Sequence, residues 1–362
     1  MFDIITIGTA TRDVFLTSPL FSAKGGSAYG GKILKDPKYL KKIGFSTGEA
    51  QCFALGGKIE IGKPILTTGG GAGNAAVTFS RQGLKTAALV KLGQDGVAED
   101  ILKEFRKEKI VPFVVHEKNM ATAYSVILLA PGGERTILVY RGASESLKIK
   151  EMHLSKMKTR WLYISPGKIS LETISGIFDY FSKQKTLIIF SPSKYLIEMG
   201  IKKLKPFLAK SKAVILNREE AAYLTNSDYR DEKEIFKKLD KMVSGIAIMT
   251  DGPNGVLVSD GFNIYQAGIL SVKGGKEKVV ADRTGAGDAF GSGFAAGLMH
   301  KKEKCEKGLC QIDNIEYAIR LGSANAASVV EYIGAKEGIL TKSEFEKNKI
   351  WGKLPIKVVK LR

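Results

Sequence analysis

Between residues 161 and 268 the chain alternates short apolar runs with stretches of helical pattern, and this alternation restricts its architecture most. The runs are WLYI at 161–164, LIIF at 187–190, AVIL at 213–216 and IAIM at 246–249. Short unbroken apolar runs bounded by polar sequence suit strands buried on both faces. Strands separated by helices imply parallel βαβ units and a doubly wound sheet. FDIITI at 2–7, closed by Gly8, and AALVKL at 87–92 read as further buried strands, the latter followed by an amphipathic helix over 97–107. In open sheets of this kind ligands bind beyond the C-terminal ends of the strands.

One stretch looks built for chemistry at such a place. Residues 281–298 read ADRTGAGDAFGSGFAAGL and pass from a turn into a helix rich in Ala, Gly and Phe. The first N–H groups of a helix lack internal partners and carry the positive end of its dipole. Gly285, Ala286 and Gly287 therefore offer a seat for an anion such as a transferring phosphoryl group. Asp288 follows at once, placed to take the proton of an attacking hydroxyl. A capped, tightly packed helix would show similar glycines, so this stretch alone leaves both readings open.

Other candidates lie where strands end. Asp13 stands five residues past Gly8, either where open α/β sheets place their ligands or as the cap of a turn. TTGGGAGN at 67–74 combines glycines that permit close approach with Asn74, which can donate and accept. Asn217 and Glu220 share a first helical turn after a strand, as a metal-water site or a capping box. No GxxxxGK[ST] phosphate loop occurs, and the GxGxxA at 291–296 lies inside a helix, so it is no dinucleotide fingerprint.

The segment DRTGAGDAFGSGF resembles the signature of the ribokinase-like (PfkB-type) carbohydrate kinases. Gly69, Gly70 and Asn74 match that family's first signature, two glycines followed four positions later by Asn. The resemblance implies an α/β ribokinase-like fold, with a doubly wound, mostly parallel sheet flanked by helices and a small β-strand lid. It implies a single kinase domain over residues 1–362, with the lid formed by segments 14–66 and 118–144. The implied activity is ATP- and Mg²⁺-dependent phosphorylation of a sugar hydroxyl in the cytoplasm, with Asp288 as catalytic base and Gly285, Ala286 and Gly287 as the anion hole. Asp13, Gly69, Gly70 and Asn74 would bind the sugar. Asn217, Thr250, Gly252, Gly255, Arg283 and Asn325 would face ATP and its phosphates, and Glu220 would hold Mg²⁺ through water. Many relatives also use a monovalent cation, for which no residues can be assigned here, and the family suggests a homodimer joined through the lid.

Two positions depart from the family pattern. Arg283 stands where a threonine is usual, putting a guanidinium in place of a hydroxyl that helps hold phosphate. GQDGVA at 93–98 keeps Gly93 and Asp95 of a GxDxxG motif but ends in Ala98. Two other functions fit the same residues: a nucleoside kinase, with Phe15 or Tyr124 stacked on a base, and a non-catalytic sugar- or nucleotide-binding regulator.

Composition sets the outer bounds. A chain of 362 residues with 44% hydrophobic content can bury a full core. The net charge of +19 invites a nucleic-acid partner, but the lysines are spread out and interleaved with acidic residues, as on solvated surfaces. No nucleic-acid motif appears, and a basic surface that draws in nucleotide is the simpler account. No apolar run approaches a bilayer span, so no membrane partner is expected. The sequence opens directly on FDIITIG, without a basic-then-apolar leader. Cys52, Cys305 and Cys310 suit a reducing compartment, and the three histidines show no metal spacing.

The remaining expectations are local. Residues 18–48 have no clear periodicity. Strands at 51–55, 58–61 and 64–66 are expected, the first two joined by a Gly56–Gly57 turn. A hairpin centred on 131–134 should bring Tyr124, Arg135 and Arg141 to the substrate mouth. A helix over 315–330 and a basic tail ending in an apolar segment at 354–359 complete the chain.

Overall fold

The computed structural model describes residues 1–18, 31–44, 48–130, 134–269, 280–300, 304–306, 309–311 and 314–361. The runs identified from hydrophobicity form the centre of a large sheet. Among the described residues this sheet has ten strands. Seven are mutually parallel and adjoin in the order Ile246–Thr250, Ala213–Asn217, Leu187–Phe190, Thr159–Ser165, Phe2–Gly8, Thr86–Leu92 and Val111–His116. Val256–Ser259, Asn263–Ala267 and Lys357–Lys360 extend one edge in antiparallel fashion.

Both faces of the central strands are covered, which is why their sequences are apolar without alternation. Ile5, Ile7, Leu162, Ile164, Ile188 and Phe190 point into one cluster, which receives the helices Leu171–Lys183, Ile201–Lys210, Arg218–Thr225 and Glu232–Leu239. Ile4, Trp161, Tyr163, Ile189, Ile215 and Ile248 point the other way, against the helices Gly71–Arg81, Ala286–His300 and Ile315–Val329. The last two pack closely because their small residues allow it. A Cβ on Gly297 would lie 2.5 Å from the Cα of Ala318, and one on Gly322 2.9 Å from the carbonyl oxygen of Phe290.

A second sheet stands over the C-terminal ends of the parallel strands. Its order is Ile65–Gly69, Thr11–Thr17, Tyr124–Leu129 and Arg135–Tyr140. The chain enters it two residues after the first strand, so Asp13 rides on the lid itself. Asp95 joins lid and body: it caps the helix Gly96–Lys107 through the N–H of Ala98 at 2.9 Å and accepts from the N–H and hydroxyl of Thr122 at 2.7 and 2.8 Å.

Some local expectations change. The Gly56–Gly57 turn exists, with the Gly57 N–H on the Ala54 carbonyl, but residues 58–61 form no strand. Ala50–Phe53 pairs instead with the preceding Gly31–Leu34, within the stretch whose sequence has no periodicity. The tail's apolar segment is a sheet-edge strand, because its residues continue the pairing of Asn263–Ala267. The turn at 131–133 lies outside the described residues, though its two flanking strands pair as expected.

Candidate active site

The loop before the helix Ala286–His300 is shaped by one glycine and one aspartate. Gly285 has φ +78°, and a Cβ there would lie 2.5 Å from that of Ala335. Any larger residue would be strained and would push the loop off its neighbour. Asp282 is fully buried and accepts from the N–H and hydroxyl of Thr284 at 2.9 and 2.7 Å, and from the N–H of Gly334 at 3.2 Å. This leaves the amides of the first turn at the mouth, with Asp288 on that same turn and half-buried. Burial pushes the pKa of Asp288 upward, a hydrogen bond from Asn74 opposes the shift, and the charge of Asp13 adds to it.

The acceptor side is built from three chain segments. The glycine run at 69–71 turns from the strand Ile65–Gly69 into the helix Gly71–Arg81, with φ +87° at Gly70. A Cβ on Gly69 would sit 1.9 Å from Oδ2 of Asp13, and one on Gly71 would sit 2.0 Å from Oγ of Ser165 and 3.5 Å from Oδ1 of Asp288. These glycines are therefore required by close approach. Asp13 is buried and accepts from the Thr11 hydroxyl at 3.0 Å. Its burial raises its pKa, while hydrogen bonds from Thr11 and Ser125 and the charge of Lys336 lower it. Asn74 donates through Nδ2 to Oδ2 of Asp288 at 2.8 Å, whereas its buried Oδ1 has no hydrogen-bond partner. That oxygen is an open acceptor for a hydroxyl.

The fold thus brings Asp13, Gly69, Gly70 and Asn74 together with Asp288. Tyr124 is not among them. Strand alternation puts Arg12 and Tyr124 on the lid face opposite Asp13 and Ser125. There they line an open groove with Asp95, Asp100 and Tyr140. Arg135 and Arg141 are half-buried on and just past the hairpin's second strand, with Arg141 paired to Glu145 at 3.4 Å.

On the side assigned to nucleotide, Asn217 and Glu220 form a reciprocal capping box at 2.8 and 2.9 Å. Glu220 is half-buried, and burial raises its pKa. Thr250 ends the neighbouring strand, and its hydroxyl donates to the Leu216 carbonyl at 3.4 Å. Gly252 and Gly255 both have positive φ, with Asp251 between strand and loop tied to Arg218 at 3.0 Å. Arg283 is exposed, and its guanidinium reaches Glu134 of the lid hairpin at 2.6 Å. Asn325 is fully enclosed. It donates to the Ala289 carbonyl at 2.9 Å and the Thr78 hydroxyl at 3.3 Å, and accepts from the N–H of Leu340 at 3.0 Å. Its amide joins packed elements and leaves nothing for adenine.

Several contributors carried no sequence signal of their own. Ser125 could have been found from its register beside Asp13. Ser165 ends a central strand, where ligands gather. Asp282 ties Thr284 to the distant Gly334, and Lys336 reaches Thr68 and Glu104. Among the described residues no group of three or more His, Cys, Asp or Glu is placed to hold a metal ion.

A doubly wound sheet, a β-lid over its strand ends and a carboxylate on the first turn of a glycine-led helix define the ribokinase-like class of fold. The chain belongs to the pfkB family of carbohydrate kinases, whose sequence pattern matches residues 42–342. It is 28% identical over 267 residues to an uncharacterized sugar kinase of Archaeoglobus fulgidus, covering 72% of this chain and 97% of that protein. It is 25% identical over 277 residues to the ATP-dependent 6-phosphofructokinase of Thermoanaerobacterium thermosaccharolyticum, covering 74% and 80%. The solved adenosine kinase of Sinorhizobium meliloti superposes with a TM-score of 0.73 at 18% identity, covering 96% of this chain and 98% of that one. No helix among the described residues is long and apolar enough to cross a membrane.

Proposed function

We propose that the chain transfers the γ-phosphoryl group of ATP to a hydroxyl of a small sugar, with Asp288 as the base. The observation that carries this reading is the convergence of Asn74 on Asp288 beside the amides of Gly285–Gly287. Asp13 and the open Oδ1 of Asn74 receive acceptor hydroxyls, which directs one of them at Asp288. Burial raises the pKa of Asp288, which makes it a better proton acceptor than an exposed aspartate. As the proton leaves, the amides at the helix start stabilise charge on the phosphoryl oxygens. The lid, which carries Asp13, excludes bulk water when it covers the acceptor.

The residues present fit a magnesium ion that arrives with nucleotide. A site with few protein carboxylates suits Mg²⁺, which keeps several waters and takes ligands from phosphates. Glu220 would contact it through water, and the ion would neutralise phosphate charge. Asn217, Thr250, Gly252 and Gly255 are the proposed nucleotide contacts. Arg283 would join them on leaving Glu134. A homodimer through the lid is supported by the exposed apolar residues Ile137, Leu138 and Val139 on its outer strand.

A nucleoside acceptor is the second reading, favoured by the likeness to an adenosine kinase fold. Base stacking on Tyr124 is disfavoured by its position behind the lid sheet. A non-catalytic regulator is disfavoured because the base and its anion seat are both intact. The deciding experiment is ADP release from Mg-ATP across ribose, fructose, fructose 6-phosphate, sugar acids and adenosine. Turnover on a sugar supports the reading, preference for adenosine selects the second, and tight ATP binding without any turnover contradicts both.

A further inference from the structure

Lys336 is 3% exposed, yet it lies in a chain whose other lysines are mostly at the surface. Burying an ammonium is costly unless it is paired and hydrogen-bonded. Its Nζ donates to Oε2 of Glu104 at 2.6 Å, on the helix Gly96–Lys107, and to the hydroxyl of Thr68, on the strand Ile65–Gly69. The charges around it are Glu104, Asp13 and Glu337. Thr68 immediately precedes Gly69, the residue whose missing Cβ makes room for the Asp13 carboxylate.

The two residues before it touch the other half of the site. The N–H of Gly334 donates to Asp282 at 3.2 Å, and a Cβ on Gly334 would lie 3.2 Å from Cγ2 of Thr67. Ala335 fills the space beside Gly285. Three consecutive residues therefore contact both the strand that shapes the acceptor pocket and the loop that begins the phosphate-facing helix. We propose that Lys336 is a positioning residue for the acceptor. It holds Thr68, and so Gly69 and Asp13, in register with the Asp282–Gly285 loop. This rests on the kinase reading above, since it assigns the acceptor side of that site.

The test compares Lys336→Met, Lys336→Arg and Thr68→Val with the unmodified protein. With the sugar that the unmodified protein turns over, Lys336→Met should raise the acceptor KM about tenfold or more. The ATP KM should change less than the acceptor KM, because Asn217, Thr250, Gly252 and Gly255 lie on other segments. Lys336→Arg should restore part of the loss, and Thr68→Val should reproduce part of it. Equal changes in both KM values, or a lowered Tm with unchanged acceptor KM, would overturn the proposal. Hydrogen exchange tests it without any acceptor. Lys336→Met should speed exchange in both Ile65–Gly69 and residues 282–287 while leaving Ala213–Asn217 unchanged. Faster exchange in only one segment, or in neither, would overturn it. Absence of turnover in the unmodified protein would count against the kinase reading and leave this second measurement decisive.

Discussion

The side-chain amide of Asn74 donates to the carboxylate of Asp288 at 2.8 Å, joining the starts of two helices 214 residues apart in sequence. The bond also orients Asn74: with its Nδ2 committed, its Oδ1 is left toward an incoming hydroxyl. On the proposed reading, this one side chain would both hold the base and recognise the group that the base deprotonates.

Replacing Asn74 with Ala should lower kcat/KM for the acceptor about 10- to 100-fold, the range for losing a hydrogen bond to a charged group. The hydrogen bond from Asn74 holds the pKa of Asp288 down against burial. Without it the pKa rises further, so the acid limb of the pH–rate profile should move to higher pH. A pH profile of kcat/KM checks this, and an unmoved limb would separate Asn74 from the base.

Gly69→Ala should remove acceptor binding with little effect on ATP affinity. The new Cβ would stand 1.9 Å from Oδ2 of Asp13, so either the carboxylate or the strand must shift. Titration calorimetry with ATP and with the acceptor, run on the same preparation, distinguishes this local loss from general unfolding.

Arg283 and Glu134 connect the loop before the helix Ala286–His300 to the lid hairpin through an exposed pair. Exposed pairs contribute only about 0–1 kcal/mol. Arg283→Ala and Glu134→Ala should therefore leave Tm nearly unchanged. If the pair serves only to hold the lid, both variants should change KM alike. If Arg283 also meets phosphate, its variant alone should raise the ATP KM. Steady-state kinetics at low and high salt measure the difference.

The parallel core was legible in the sequence because burial on both faces leaves a run such as 161–164 entirely apolar. Asp288 and its glycines were legible because they are contiguous and begin a helix. Residues that act through distant partners were not. Lys336 looks like any other lysine until the fold encloses it between Thr68 and Glu104. Asn325 looks like a ligand in a helix of small residues, yet its partners are atoms of Ala289, Thr78 and Leu340, far away in sequence. Tyr124, expected at the mouth, lies elsewhere for a different reason. Its face depends on strand register, and one residue of offset from Ser125 turns it to the other side.

Lys91, on a strand of the body, pairs with Glu117 just before the lid segment at 3.0 Å and with Glu151 just after it at 2.9 Å. The hydrogen bond to Lys91 holds the Glu117 carboxyl down to about 2, from a usual value of 4.5. A depressed carboxyl contributes stability above its unfolded pKa and loses it as pH falls through the folded one. The stability from this contact should therefore fade between about pH 4.5 and pH 2. Denaturant unfolding across that window should show a shallower pH dependence in Glu117→Gln than in the unmodified protein.

The role of Asp288 is tested most directly by Asp288→Asn, measured by single-turnover phosphoryl transfer and by ATP binding together. Losing a positioned base should cut the transfer rate about 10²- to 10⁴-fold, with ATP affinity held within a few-fold. Because burial disfavours the charged carboxylate, the neutral variant should also melt at a higher temperature near neutral pH. A transfer rate close to that of the unmodified protein, with a folded variant that binds ATP normally, would contradict Asp288 as the base.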